Sequence, residues 1–498
     1  MPPEKTSGAL AFYSATDMLR ALAVGSVGAV ELCQLHLDRI GRHNSSLNAI
    51  VTHTPERALW AARQADDAHA HGSSLGPLQG LPITIKDAID VAGLPTTSGL
   101  PQRAQTIAMR DSPVAAATLS AGAVLLGKTH VSTLTGDWQC DNRLFGRTCN
   151  PWNTSRTSGG STGGGAAAVA AGLSALELGS DIGGSIRLPA SFCGIYGHRP
   201  SETLAPRDGH FPGTLAPNPA WVMGVLGPLA RDPLDLELAL EVIAGPVLGE
   251  EVGWRLTLPP SRHMRLADFR VAIVPSVELL LVDSEVSSAM DQVVGALERA
   301  GARVAKALPE GLDVWNHHLL YSELLGMMLF ADLAPTRRDG IAETLRRAAN
   351  RSPRNPFASA IADGVVASAA GLMSRLGLRE RYRHAFRSFF RDWDILLAPV
   401  APVPPFPHFS MEQPMEERIL TLNEGEGPMI PYSWLGIYPG LASLSGQPAT
   451  AFPVARTGTG LPVGLQAIGP YLEDRTTIAF ASLLGDLIGG YEPPPGFN

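Results

Sequence analysis

Cysteine is scarce in this chain. Only four cysteines occur in 498 residues, at positions 33, 140, 149 and 193, and no two of them have the C-x-x-C spacing. Disulfide frameworks and structural zinc sites need more cysteines in closer clusters. We therefore expect free, mostly buried thiols, and neither a disulfide scaffold nor a metal site.

Clusters of basic residues are absent as well. Lysine and arginine total 39 against 47 aspartate and glutamate residues, which gives a net charge of −8. Because nucleic-acid surfaces concentrate Lys and Arg, we expect no nucleic-acid partner. The apolar (45%) and charged (17%) fractions are those of a soluble globular protein.

No long apolar run is found. The least polar stretch, Gly163 to Leu176, is rich in glycine and alanine and shorter than the roughly 20 residues that cross a bilayer. The segment Met1 to Gly8 has no apolar region after a basic start, unlike a secretory signal peptide. These features predict a cytoplasmic protein without a membrane partner.

Helix and strand patterns alternate along the chain. From about Ser14 to Ala70, apolar residues recur near every 3.6 positions, which predicts a helical N-terminal layer. Strand patterns follow at residues 81–86, 123–126, 269–274, 303–307 and 394–399, with helical patterns between them. This alternation predicts an α/β fold with a parallel or mixed sheet covered by helices.

Two serines stand in one glycine-rich stretch. Ser161 and Ser185 each follow a pair of glycines and are 24 residues apart. Glycine pairs let the backbone approach a ligand closely, and successive N–H groups form an anion-binding nest. The residues alone leave three interpretations open for this stretch: phosphate binding, a nucleophile or a simple turn.

Two short motif matches lie in an unsuitable structural context. Gly122 to Thr129 fits the phosphate-loop pattern, but its four middle residues are themselves predicted to be a strand. Gly159 to Gly163 fits the G-x-S-x-G elbow, but the polar residues 150–157 predict no strand before it, and no later histidine has a distinctive setting.

A third match covers much of the chain. Residues 80–87 (Gly-Leu-Pro-Ile-Thr-Ile-Lys-Asp), 158–164 (Ser-Gly-Gly-Ser-Thr-Gly-Gly) and 179–197, beginning Gly-Ser-Asp-Ile-Gly-Gly-Ser-Ile-Arg, together resemble the amidase signature family. Residues 394–399 and 460–470 also resemble it, so the likeness extends from about residue 14 to 485. One departure is Thr162, where a second serine is frequent in the family.

The resemblance implies a fold and a domain organisation. The expected fold is a large mixed β-sheet covered by helices on both faces, with a helical N-terminal layer. We expect residues 1–75 to form a helical segment packed on a single α/β domain over residues 76–498. A mostly helical segment near 315–391 should lie on the substrate side.

The resemblance also implies catalytic roles for three residues. Ser185 would be the acyl-accepting nucleophile, Ser161 the bridging serine after a cis peptide bond, and Lys86 the base behind it. Serine needs such a base because its hydroxyl is a weak nucleophile. Lysine can serve when burial lowers its pKa, and a bridging hydroxyl can both donate and accept a proton. No cofactor is implied.

Further residues would bind the oxyanion or support the site. The oxyanion of the tetrahedral intermediate would be bound by four consecutive backbone N–H groups, those of Ile182, Gly183, Gly184 and Ser185. Gly160 would allow a tight backbone before Ser161. We expect Asp181 and Arg187 to form a bracing ion pair rather than to act in catalysis.

Candidate substrate contacts lie in segments that vary within the family. They are Thr135, Gly136, Asp137 and Trp138 ahead of the first serine, Met327 and Met328 in the helical segment, and the loop from Tyr432 to Tyr438. Their apolar and aromatic character favours a hydrophobic acyl or aryl group on a small-molecule amide.

The sequence is compatible with other functions. Carbamate or ester hydrolysis would use the same acyl-enzyme. The glutaminase component of a tRNA-dependent amidotransferase shares the signature, and a binding protein without catalysis would share the scaffold. A homodimer is compatible with the sequence.

Overall fold

An eleven-stranded β-sheet forms the centre of the molecule in a computed structural model, which describes residues 10–211, 222–247, 249–351 and 356–497. Its order across the sheet is β1-β3-β2-β4-β6-β5-β10-β11-β9-β7-β8. In chain order the strands are β1 (Ile50–His53), β2 (Pro82–Lys86), β3 (Val124–Thr129), β4 (Leu176–Asp181), β5 (Tyr196–Arg199), β6 (Val225–Ala230), β7 (Arg270–Ile273), β8 (Arg303–Lys306), β9 (Ile395–Pro399), β10 (Ala449–Arg456) and β11 (Pro462–Ile468). The segment Met1 to Gly8, for which no signal peptide is predicted, lies outside the described residues.

The sheet is mixed. Strand β2 is parallel to β3 and β4, and β7 is parallel to β8 and β9. The other neighbours are antiparallel. The five strands predicted from the sequence correspond to β2, β3, β7, β8 and β9. Strand β3 extends to Thr129, so the Gly-Lys-Thr of the apparent phosphate loop lies inside a strand.

Helices cover both faces of the sheet. The described residues contain fourteen, namely α1 (Ala15–Ala23), α2 (Ala29–Leu47), α3 (Pro55–Ala70), α4 (Pro113–Ser120), α5 (Gly163–Ala170), α6 (Arg187–Cys193), α7 (Pro233–Ile243), α8 (Ser284–Arg299), α9 (Val314–Leu329), α10 (Pro335–Arg351), α11 (Phe357–Val365), α12 (Ala369–Asp392), α13 (Ile437–Ser445) and α14 (Asp474–Ile488). Successive side chains of β3 point to opposite faces of the sheet, so Val124 and Leu126 pack in one apolar core and Leu125 packs in the other. The predicted fold class is confirmed.

The N-terminal helices share their core with the sheet. Cys33 and Ile40 of α2 belong to the same apolar cluster as Val124 and Leu126 of β3. The division of the chain at residue 75 therefore stays a prediction. The helical segment expected near 315–391 corresponds to α9 through α12. No helix in the described part of the chain is both long and apolar enough to span a lipid bilayer.

One local expectation from the sequence is wrong. Asn153–Thr157 forms a short strand paired with Cys149–Asn150, although its polar side chains predicted none. Three of its five residues are exposed, so this pairing needs no apolar face. The strand lies outside the central sheet and ends before Ser161, so it does not supply the strand of a nucleophile elbow.

Candidate active site

Three neighbouring elements bring the predicted catalytic residues together. Lys86 is the last residue of β2, the third strand from one edge of the sheet. Ser161 lies just before α5, after a cis peptide bond between Gly160 and Ser161. Ser185 lies just before α6, where the chain leaves β4. The backbones of the two serine segments touch, because the Thr162 N–H donates to the Ser185 carbonyl at 3.1 Å.

The Lys86 side chain is completely buried in a cage of hydroxyl groups. Its Nζ lies 2.8 Å from Ser161 Oγ, 2.8 Å from Thr162 Oγ1 and 3.0 Å from Ser180 Oγ. Among the described residues, no carboxylate hydrogen-bonds to Nζ. Burial disfavours the charged form and lowers the pKa of Lys86 to about 7, while more distant acidic groups act weakly in the other direction.

Two of these cage residues were not predicted from the sequence. Thr162 was noted only as a departure from the family pattern, yet its hydroxyl contacts Lys86 directly. Ser180 projects from β4, next to β2 in the sheet. In the sequence, Ser180 stands between a glycine and an aspartate near the end of a strand, which only weakly suggests a role. Its contact with Lys86 depends on the pairing of β2 with β4, two strands that are distant in sequence.

Ser185 is accessible from a cavity but nearly buried. Only 6% of the Ser185 surface is exposed. Within the described residues, its hydroxyl makes no hydrogen bond. Ser161 and Ser185 line one small cavity together, so the two hydroxyls face a common space.

A buried ion pair braces the loop between β4 and α6. Arg187 donates to Asp181 through Nε at 3.0 Å and Nη2 at 2.9 Å, and it also donates through Nη1 to Gln466 at 2.7 Å. Burial would raise the pKa of the Asp181 carboxyl, but Arg187 and Arg199 hold that pKa below its usual range. The ion pair expected from the sequence is therefore present, with both side chains fully buried.

The Asp181 carboxylate also accepts a hydrogen bond from one of the four N–H groups that were expected to bind the oxyanion. The Gly184 N–H donates to Asp181 Oδ1 at 3.0 Å, so it is already paired. No loop or side-chain acceptor in the described ranges takes up the N–H groups of Ile182, Gly183 or Ser185. Gly184 has φ +98°, and a Cβ there would lie 2.8 Å from the Pro439 ring, so the loop requires glycine.

A larger cavity of about 280 Å³ opens beside Ser185. Tyr321, Leu325 and Leu329 of α9 form a stripe along one wall, at the i, i+4, i+8 spacing of one helix face. Phe357 of α11 and Tyr432 contribute aromatic walls. The lining is largely apolar, which suits a hydrophobic group on a ligand.

The predicted substrate contacts divide into two groups. Thr135, Gly136, Asp137 and Trp138 all line the larger cavity. Trp138 Nε1 donates to the Gly183 carbonyl at 2.8 Å. Asp137 accepts from Tyr432 Oη at 2.6 Å and from Arg418 at 2.7 Å, so its carboxylate supports the wall.

The other two predicted contacts lie elsewhere. Met327 and Met328 are buried in an apolar cluster with Leu324 and Leu444 and do not line the cavity. They are on faces of α9 that pack into protein. Leu325 and Leu329, which the sequence did not single out, take the cavity positions instead.

Comparison with known proteins agrees with this arrangement. A family model described as Amidase matches residues 31–478. The chain belongs to the amidase family. The resemblance inferred from the sequence is thereby confirmed, and the chain is an amidase enzyme.

Relatives of this amidase have more than one activity. An indoleacetamide hydrolase of Bradyrhizobium diazoefficiens is 32% identical over 95% of this chain and 86% of its own. A glutamyl-tRNA(Gln) amidotransferase component from Synechococcus is 31% identical, over 91% of this chain and 92% of its own. A bacterial aryl acylamidase structure has a TM-score of 0.79 at 22% identity, over 97% and 99% of the two chains, and so shares the fold.

The Asp181–Arg187 pair gives a stability prediction. Arg187→Met should lower the free energy of unfolding by about 3–5 kcal/mol, because it leaves the Asp181 carboxylate buried without its main partner. The matched control is Arg110→Met, which breaks an exposed pair with Asp208 and should cost less than about 1 kcal/mol. Urea unfolding followed by fluorescence measures both. Equal effects of the two substitutions would contradict this account of the brace.

Proposed function

We propose that this amidase hydrolyses carboxylic amides with an apolar, aromatic acyl group through an acyl-enzyme on Ser185. The observation that carries the proposal is the buried Lys86 amine, in contact with Ser161 and without a carboxylate partner among the described residues. A lysine in this setting is neutral for much of the time near pH 7, so its amine can accept a proton.

Ser161 is the proposed proton relay. Its hydroxyl contacts Lys86 Nζ at 2.8 Å and also borders the cavity that holds the Ser185 hydroxyl. A hydroxyl can accept one proton while donating another. The Ser185 hydroxyl must turn toward Ser161 for transfer, since the resting structure does not join them. Catalytic hydrogen bonds often tighten only when substrate binds.

The proposed reaction uses the loop before α6 as its oxyanion site. Ser185 Oγ attacks the amide carbon, and its proton passes through Ser161 to Lys86. The N–H groups of Ile182, Gly183 and Ser185 are then donors for the oxyanion, while Gly184 supports the loop through Asp181. Losing one such donor typically costs about 3–4 kcal/mol of transition-state stabilisation.

The larger cavity is the proposed acyl site. Its walls include Trp138, Phe357 and Tyr432, and such rings bind flat apolar groups by stacking or edge contacts. An aryl acyl group is also what the name of the Bradyrhizobium relative, an indoleacetamide hydrolase, describes. We therefore propose aryl-substituted carboxylic amides as the substrate class.

A glutaminase role fits this cavity poorly. Glutamine would bring a charged α-carboxylate, which proteins bind with Arg, Lys or an N–H nest. Among the described residues that line the larger cavity, none is Lys, Arg or His. Carbamates and esters would follow the same acyl-enzyme route. Amides are favoured because the relay returns a proton to the leaving nitrogen, which amides need and most esters do not.

Replacing the proposed nucleophile tests the function directly. Ser185→Ala should lower kcat for phenylacetamide by about 10⁴-fold or more, because no acyl-enzyme can form. Ser161→Ala and Lys86→Ala should cause losses of similar order, since residues that act as a unit are not additive. A fluorophosphonate should label the wild-type protein on Ser185 and fail to label Ser185→Ala.

A buried serine outside the site is the matched control. Ser445 bonds to the Leu441 carbonyl within α13, so Ser445→Ala should retain activity and labelling. Turnover of Ser185→Ala at the wild-type rate would overturn the proposed function.

The lowered pKa of Lys86 predicts a pH dependence. Below about pH 7 the amine is protonated and cannot accept a proton, so kcat/KM should rise about tenfold per pH unit and level off above about 7. Burial also raises the pKa of the Glu177 carboxyl to about 7. Glu177→Gln removes the second titrating group, so the rise of kcat/KM with pH should persist in this variant if Lys86 causes it. A flat profile, or a rise that disappears in Glu177→Gln, would contradict the role of Lys86.

A further inference from the structure

Ser185 borders a second, much smaller cavity. Its volume is about 20 Å³, against about 280 Å³ for the larger one. A cavity needs roughly 10–15 Å³ to hold one water molecule. The smaller cavity therefore has room for one molecule the size of water or ammonia. Besides Ser185, its polar walls are formed by Thr135, Ser161, Ser180, Asp181, Arg207 and His210.

The two cavities differ in their access to the proposed relay. Ser161 lines the small cavity and is not part of the lining of the larger one. The group that returns a proton to the leaving nitrogen must lie within hydrogen-bond reach of it. The leaving group therefore belongs on the side of the small cavity, and the acyl group on the side of the large one.

His210 lines the small cavity, and its two ring nitrogens are available for hydrogen bonds. Both its ring nitrogens are shielded from solvent and have no hydrogen-bond partner among the described residues. The backbone around it is fixed next to the end of β2, since His210 bridges with Ile89 and the Phe211 N–H donates to the Ala88 carbonyl at 2.7 Å. A neutral imidazole offers one donor and one acceptor, which matches a single ammonia or water molecule.

We infer that this amidase is selective for primary amides, because the cavity beside Ser161 and His210 holds ammonia but no larger amine. The inference rests on the proposed function and adds the leaving group to it. His210 is a positioning residue in this account, since it would orient the small molecule at the reacting carbon.

The reaction balances with ammonia and water alone. Ser185 Oγ forms a bond to the carbonyl carbon, the C–N bond breaks, and the serine proton reaches the nitrogen by way of Ser161 to give NH₃. Water then takes the vacated space and gives one proton to the relay. Its oxygen bonds to the carbonyl carbon, the bond between that carbon and Ser185 Oγ breaks, and the proton returns to Oγ as the carboxylic acid is released.

Three amides with one acyl group test the selectivity. They are phenylacetamide, N-methylphenylacetamide and phenylacetanilide, and release of phenylacetic acid is measured for each. We expect kcat/KM to fall by about 100-fold or more from the primary amide to the anilide, with the N-methyl amide between them. Equal values for all three would overturn the inference and leave the proposed function standing. No turnover of any, without fluorophosphonate labelling of Ser185, would overturn both.

His210→Ala tests which residue limits the space. The substitution should raise the ratio of kcat/KM for N-methylphenylacetamide over phenylacetamide by about tenfold, because it enlarges the small cavity. His317 is the matched control, since it is another buried histidine with both ring nitrogens unpartnered within the described ranges and packs on Tyr382, away from either cavity. His317→Ala should leave the ratio unchanged. An unchanged ratio in a folded His210→Ala protein would contradict the role of His210.

A trapping experiment needs no variant. The acyl-enzyme formed from phenylacetamide should transfer its acyl group to hydroxylamine, which is small enough for the cavity, and give phenylacetohydroxamic acid with release of the Ser185 hydroxyl. O-benzylhydroxylamine presents the same nucleophilic nitrogen with a bulky group, and its product should form at least about 100-fold more slowly. Similar rates for the two nucleophiles would overturn the size limit.

Discussion

The burial of the Lys86 side chain among hydroxyl groups, with no carboxylate of the described residues in contact, is the constraint on which the site depends. Transferring an ammonium group from water into a protein interior costs several kcal/mol unless it is paired or loses its proton. Ser161, Thr162 and Ser180 offer hydrogen bonds but no opposing charge. The neutral amine is therefore favoured, and the chemistry proposed for Ser161 and Ser185 follows from that state.

A second buried lysine, Lys128, differs from Lys86 in having a carboxylate partner. Lys128 lies on β3 beside β2 and is as completely buried as Lys86. Its Nζ, however, lies 3.5 Å from Asp87 Oδ1 and donates to the Pro95 carbonyl at 3.1 Å. The two lysines in neighbouring strands thus have different surroundings, since Lys128 has a carboxylate partner whereas Lys86 has three hydroxyls and, at 3.5 Å, the Ser180 carbonyl. Because both lysines are equally buried, the chemical type of their hydrogen-bond partners distinguishes a structural lysine from a candidate base.

Much of the fold and the order of the site residues could be predicted from local patterns. Strand β2 follows from alternating apolar and polar residues and β3 from an apolar run, and the two Gly-Gly-Ser sequences identify Ser161 and Ser185. Features that depend on tertiary packing could not be predicted. Which face of α9 meets the cavity is set by its neighbours, so Leu325 and Leu329 line it instead of Met327 and Met328. The pairing of the Gly184 N–H with Asp181 likewise depends on the loop conformation.

The most direct test of the central claim is the pKa of Lys86 itself. The chain contains only four lysines, Lys5, Lys86, Lys128 and Lys306, so NMR of protein labelled with ¹³C at the lysine ε-carbon gives four signals. Comparison with Lys86→Met assigns the signal of interest. We expect this signal to titrate near pH 7. A Lys86 signal that stays in the ammonium form up to about pH 10, as in a model peptide, would contradict it.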